Sequence, residues 1–133
     1  MPFRYLLDTN IASYMIRGDF PRVRERSLRV PAGEIGISVV TEAELRFGAA
    51  RLPEVARIRV LVRDFLMAVT VLPWTSDAAI QYAHLRLAAE RSGSPMGTLD
   101  LMIASHSLAV GAVLVTHDRG FRRLQELKVE DWT

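Results

Sequence analysis

Four acidic residues stand out by where they fall along the chain. Asp8 closes a short apolar run, Phe3 to Leu7; Glu44 lies early in a helical stretch; Asp100 follows two residues after Thr98, at the head of another; and Asp118 comes directly after the β-rich run Ala112 to Thr116. Carboxylates drawn from such distant positions to one place repel one another and call for a cation. There is no cysteine, and the three histidines, His84, His106 and His117, are not at the spacing of a ligand pair. Ligation by oxygen alone points to Mg2+ or Mn2+. An ion so bound can position a water and lower its pKa. Metal-free general acid–base cleavage has little support without a convergent histidine pair.

Each acid also has a structural explanation. Asp100 favours the positive end of a helix dipole, Thr41-x-x-Glu44 matches a capping box, and Asp8 and Asp118 suit turns. What these explanations leave open is why all four fall at one edge. His84 and His106 sit in helical stretches as packed or surface residues. His117, next to Asp118, is placed to touch substrate or simply to sit in the loop. Trp74 and Trp132 read as core or interface aromatics.

The elements that must position these groups alternate between strand and helix. Strands are expected at Phe3 to Leu7, Glu34 to Ser38, Val69 to Leu72 and Ala112 to Thr116, with a small one near Leu127 to Val129. Helices are expected over Ile11 to Arg17, Pro21 to about Val30, Val39 to Arg51, from Pro53 through Leu66, from Ser76 to Gly93 and from Thr98 to Gly111. Pro21 suits a first helical turn, Ser76 and Thr98 serve as caps, and Gly18, Gly93 and Gly111 end helices. A short helical turn follows near Phe121 to Leu124. This alternation predicts an α/β fold, a three-layer α/β/α sandwich around a mostly parallel sheet, and the crevice of such a sheet lies beyond the carboxyl ends of its strands. All four acids fall there.

A length of 133 residues suits one domain spanning 1–133, and 50% hydrophobic residues suffice for a packed core. No stretch is long and apolar enough to span a membrane, and the N-terminal run meets Asp8 too soon for a secretory signal. A soluble cytoplasmic protein is the expectation. The net charge of +2 says little, but of the 17 basic residues only Lys128 is not arginine. Arginine forks onto phosphates and stacks on bases; Arg22, Arg24, Arg26 and Arg29 form either a phosphate-facing edge or a solvated helix face.

Four segments together resemble the PIN-domain toxins of the VapC family. They are Leu7-Asp8-Thr9-Asn10, Thr41-Glu42-Ala43-Glu44-Leu45-Arg46-Phe47-Gly48, Pro95-Met96-Gly97-Thr98-Leu99-Asp100-Leu101-Met102-Ile103-Ala104, and Val115-Thr116-His117-Asp118 with Phe121. The ending Leu127-Lys128-Val129-Glu130-Asp131-Trp132 is similar too, so the likeness runs from Leu7 to Trp132. One departure is the loop Thr116 to Phe121, a residue shorter than in many relatives. The resemblance implies an acidic site of Asp8, Glu44, Asp100 and Asp118, with Glu44 rather than Glu42 as the family acid. It implies a metal-dependent endoribonuclease, the toxin of a type II toxin–antitoxin pair acting on cellular RNA, often transfer RNA. A VapB-like antitoxin holds such toxins inactive, a basic side chain entering the acidic pocket, and homodimers are common.

On that basis Asp8 and Asp100 are the leading ligands of Mg2+ or Mn2+, and Asp118 completes the shell or a second site. Glu44 orients or deprotonates the attacking water, or supports the ion from further out. Asn10 and Thr116 are candidates to hold the carboxylates by hydrogen bonds. Two rival readings belong to other classes. A Mg2+-dependent phosphatase or phosphoacceptor domain also places Asp after its first strand, but the phosphatase motif requires a second acid where Asn10 stands. The other rival is a non-catalytic protein-binding module of the same fold.

Overall fold

The computed structural model describes residues 3–133. Its strands are β1 (Tyr5–Leu7), β2 (Ile35–Ser38), β3 (Thr70–Leu72), β4 (Val113–Val115) and β5 (Val129–Glu130). Its helices are α1 (Thr9–Arg17), α2 (Pro21–Leu28), α3 (Val39–Ala50), α4 (Arg57–Ala68), α5 (Ser76–Arg91) and α6 (Thr98–Val110). Single 3-10 turns precede β2 and follow β4. All five strands pair in parallel, in the order β3-β2-β1-β4-β5, so the sheet is wholly rather than mostly parallel.

Neighbouring side chains on a strand point to opposite faces, and here both faces are covered. Tyr5, Leu7, Ile37 and Val115 pack against Ile11, Val23, Leu45 and Val62 of α1 to α4 on one side. Leu6 and Leu114 pack against Leu85, Leu101 and Ile103 of α5 and α6 on the other. Trp132 folds back onto the first core, edge-to-face with Tyr5 at 5.1 Å. The half-buried Trp74 donates its indole N–H to the Met102 carbonyl at 3.0 Å.

From β1 the chain steps outward to β2 and β3, then returns across the sheet to place β4 on the other side of β1. The strand order therefore reverses between β1 and β4, and a crevice opens at their carboxyl ends. Asp8 follows β1, and Thr116 to Asp118 follow β4. α1 and α6 begin at this end, and each closes at its far end with a glycine in the left-handed region, Gly18 at φ 78° and Gly111 at φ 69°, where a side chain would be strained.

The beginnings or caps of five helices differ from the sequence expectation; α1, for one, opens at Thr9 rather than Ile11. α3 opens at Val39 with Ser38 as its cap, so Thr41 and Glu44 are not a capping box. Thr41 is instead fully buried, and Glu44 faces Thr9. α6 is preceded by Gly97, making Thr98 its first residue rather than its cap. Thr75, not Ser76, precedes α5 and makes no side-chain cap bond. α4 begins at Arg57, because residues 53–56 form a turn closed by Ala56 N–H on the Pro53 carbonyl. Proline, serine and threonine mark where a helix is permitted to begin, while packing against the sheet decides where it does.

Ser38 is fully buried; its hydroxyl oxygen accepts from the Val40 N–H at 3.0 Å and lies 2.8 Å from His106 Nδ1. Ser38→Ala removes both bonds and is expected to cost about 1–3 kcal/mol in urea unfolding. Thr75→Ala, at a cap position without a side-chain bond, should change stability by no more than about 0.5 kcal/mol.

Candidate active site

Asp8 sits where β1 hands over to α1. Its backbone N–H still donates to the Val115 carbonyl at 3.0 Å, while its Oδ1 accepts from the Ile11 N–H at 2.8 Å and caps the helix. The residue is only 4% exposed. Burial pushes its carboxyl from an ordinary 3.8 up to about 6, partly offset by hydrogen bonds from Thr116 and the Ile11 N–H and reinforced by the negative charges of Asp100 and Asp118. Thr116, buried at the end of β4, links two of the acids, since its hydroxyl bonds Asp8 and its oxygen accepts from the Asp118 N–H at 3.0 Å.

Asp118 is exposed and turns its Oδ1 onto the Gly120 N–H at 2.8 Å, opening the 3-10 turn. Asp100, half-buried in the first turn of α6, is also raised, by burial first and then by the charges of Asp118 and Glu44. Glu44 accepts from the Thr9 hydroxyl at 2.6 Å, and Thr9 in turn lies 3.1 Å from the buried Thr41 hydroxyl. The structure therefore brings Asp8, Asp100 and Asp118 into electrostatic contact, with Glu44 joining through Asp100. Glu42 is drawn away into an ion pair with Arg46 at 2.8 Å.

Asn10 is exposed beside Thr9 and Glu44 in a groove of about 140 Å3 between α1, α3 and α4. Among the described residues it forms no hydrogen bond to the acids; Thr9 is the residue that bonds Glu44. Sequence reasoning missed Thr9 and Thr41, although both hydroxyls adjoin acids within the motif segments. His106 is buried against Ser38, with burial lowering its pKa, and belongs to the core. His84 is exposed on α5. His117 bonds Asp131 at 2.9 Å, at the rim of the site. Of the arginine cluster, Arg26 pairs with Glu130 and Arg29 with Glu25, whereas among the described residues Arg22 and Arg24 have no acidic partner.

Among the described residues, no three side chains stand close enough to close around one ion unaided. The donors still fit a hard divalent ion, because Mg2+ takes one or two carboxylates and keeps several waters. Asp8 and Asp100 are raised chiefly by burial, with neighbouring negative charges adding to it, and a cation beside them would favour their charged forms.

Comparison with known proteins gives this constellation its kin. The family model described as "PIN domain" matches residues 5–127. The chain belongs to the PIN-domain family. This PIN domain is 34% identical to the tRNA(fMet)-specific endonuclease VapC of Shigella flexneri, over 98% of each chain. It is 31% identical to ribonuclease VapC2 of Haemophilus influenzae, over 97% of this chain and 98% of the other. In three dimensions it overlays DNA-bound VapBC from Salmonella typhimurium with a TM-score of 0.90 at 32% identity, covering 98% and 99% of the two chains. VapBC2 from Rickettsia felis, bound to a promoter DNA fragment, gives 0.89 at 29%, covering 98% and 100%.

The raised Asp8 carboxyl makes this PIN domain less stable as pH rises. The penalty is absent below 3.8, where both folded and unfolded chains hold the proton, and complete above about 6, where neither does. Asparagine keeps the cap on α1 without the charge. In chelator at about pH 8, Asp8→Asn should melt higher than wild type, by on the order of 3 kcal/mol. The difference should shrink to nothing towards pH 4. A variant less stable than wild type at every pH would mean that Asp8 is merely a cap.

Proposed function

We propose that this chain is a toxin-type endoribonuclease that hydrolyses cellular RNA, transfer RNA among its substrates, with Mg2+ or Mn2+ held by Asp8, Asp100 and Asp118. The observation that carries the reading is the gathering of acids from four separate elements at the β1/β4 strand reversal, with two of them raised by burial and mutual repulsion. The relatives named above are ribonucleases. An ion at such a site neutralises non-bridging phosphate oxygens and lowers the pKa of water.

Asp8 and Asp100 supply fixed negative oxygens to hold that cation, and Thr116 orients Asp8 towards the crevice. Glu44, held at its Oε1 by Thr9, has its second oxygen free to orient a water and take its proton. That water's oxygen then bonds to phosphorus, one P–O ester bond breaks, and the departing oxygen takes up a proton from solvent. Arg22 and Arg24, without an acidic partner among the described residues, lie on α2 as counter-charges for an RNA backbone.

The same repulsion makes the pocket a receptor for a basic side chain. We therefore read a VapB-like antitoxin as the partner, its Arg or Lys forming charge-assisted hydrogen bonds with these carboxylates. The structural neighbours are VapBC complexes. A homodimer is part of this proposal. Among the described residues no helix is long and apolar enough to cross a membrane.

Cleavage of purified tRNA(fMet) in Mn2+ should cease in EDTA and fall about a hundredfold or more in Glu44→Gln, the scale on which a positioned proton acceptor acts. Glu42→Gln, which only frees Arg46, should cut at close to the wild-type rate. The reverse ranking of the two glutamates would move the site half a helical turn. A tagged wild-type chain expressed in its native host should co-purify with a small partner carrying an essential Arg or Lys. Recovery of the chain alone, in every growth phase, counts against the antitoxin.

A further inference from the structure

Beside the carboxylates lies an aromatic run that the hydrolytic site does not use. Tyr14 on α1 and Phe20 stand 4.7 Å apart at their ring centroids, and Phe20 stands 5.9 Å from His117 with the rings tilted by 40°. Phe20 is 43% exposed although it is large and apolar. It is also the one non-glycine residue with positive φ among those described, at 48°. A bulky L-residue in the left-handed region is strained, and such strain persists where the surroundings impose it and gathers at ligand-binding positions. The turn Gly18-Asp19-Phe20, with positive φ at both ends, thus swings the ring out over His117 instead of into the core.

His117 is fixed in its turn. Its Nδ1 lies 2.9 Å from Asp131 Oδ2 and 3.0 Å from the Thr133 hydroxyl, so the imidazole plane is set without help from a ligand. It is also chain-adjacent to both Thr116, which bonds Asp8, and Asp118. The aromatic surface and the carboxylates share one loop.

We propose that Phe20 and His117 form a stacking platform for an unpaired RNA base next to the phosphate being cut. This rests on the ribonuclease reading given above. RNA-binding proteins take hold of splayed-out bases by stacking them on Phe, Tyr, Trp or His, and an exposed, conformationally fixed ring one residue from a catalytic carboxylate suits such a base. The platform positions substrate and takes no part in proton transfer. A protein partner's apolar side chain is the competing occupant, but one of the two rings, His117, is chain-adjacent to Asp118, one of the acids proposed to act on the phosphate.

The test uses tRNA(fMet) as the probe, Mn2+ as the ion, and full-length wild type, Phe20→Asn and Phe20→Trp. Asparagine tolerates left-handed backbone, so Phe20→Asn removes the ring while easing the strain. Its fold is checked by thermal melting. Stacking predicts a KM raised about tenfold in Phe20→Asn, with kcat within about twofold, and a KM restored in Phe20→Trp. The KM ratio should not change with salt, as it would if a phosphate contact were lost. Replacing the nucleotide beside the mapped cut with an abasic one should raise the wild-type KM and leave that of Phe20→Asn unmoved. Wild type and Phe20→Asn with equal KM overturns the platform and leaves the rings as a protein contact. A fall in kcat alone, or loss not rescued by Trp, overturns it as a distortion of the site. A wild type that leaves tRNA(fMet) intact in Mn2+ sinks the ribonuclease reading for this RNA, and the platform with it.

Discussion

Burial of a carboxylate that the fold also brings near other acids is the constraint around which this molecule is arranged. Asp8 is almost wholly buried and still has Asp100 and Asp118 near enough to raise its pKa. Left to itself such a group would neutralise or drive the strands apart. It is held by two donors, the Ile11 N–H and the Thr116 hydroxyl, each supplied by an element that also builds the sheet or its covering helix. The same contact that starts α1 thus aims a carboxylate, and the same threonine that ends β4 ties Asp8 to the loop of Asp118. Structure and reactivity are hard to separate here because the same hydrogen bonds serve both.

Glu44 shows the alternative arrangement. It is anchored by a hydroxyl relay, Thr41 to Thr9 to the carboxylate, and not by the backbone. A backbone N–H fixes a charge; a hydroxyl relay fixes direction while leaving the second oxygen available. The two kinds of anchor suit a ligand in the first case and a group that must exchange protons in the second.

Much of this was legible in the sequence, and the reasons are local. Strand identity follows from β-branched runs such as Ala112 to Thr116, and the placement of the acids follows from their standing directly after such runs. The parallel order, with the crevice at the carboxyl ends, follows from alternation. What was not legible depends on contacts across the fold. Ser38 caps α3 because β2 ends there against His106, which no spacing around Thr41 reveals. Between Asp8 and Asn10, both candidates for the site, Thr9 carries no role in the sequence, and only the approach of α3 brings its hydroxyl to Glu44. Phe20 is invisible to periodicity because its meaning lies in a backbone angle.

The strand order also has a consequence for how the molecule comes into being. β1 pairs with β2 in a register that matches Tyr5 with Ile35, and with β4 in one that matches Tyr5 with Val113. The first pairing closes a short loop, whereas the second must bring together positions about a hundred residues apart, so loop entropy makes it the slower one to form. Asp8 and Glu44 come with the half of the sheet that closes locally, Asp100 and Asp118 with the half that depends on the distant β1–β4 pairing. The four acids are therefore gathered only by the contact that costs the chain most entropy to close.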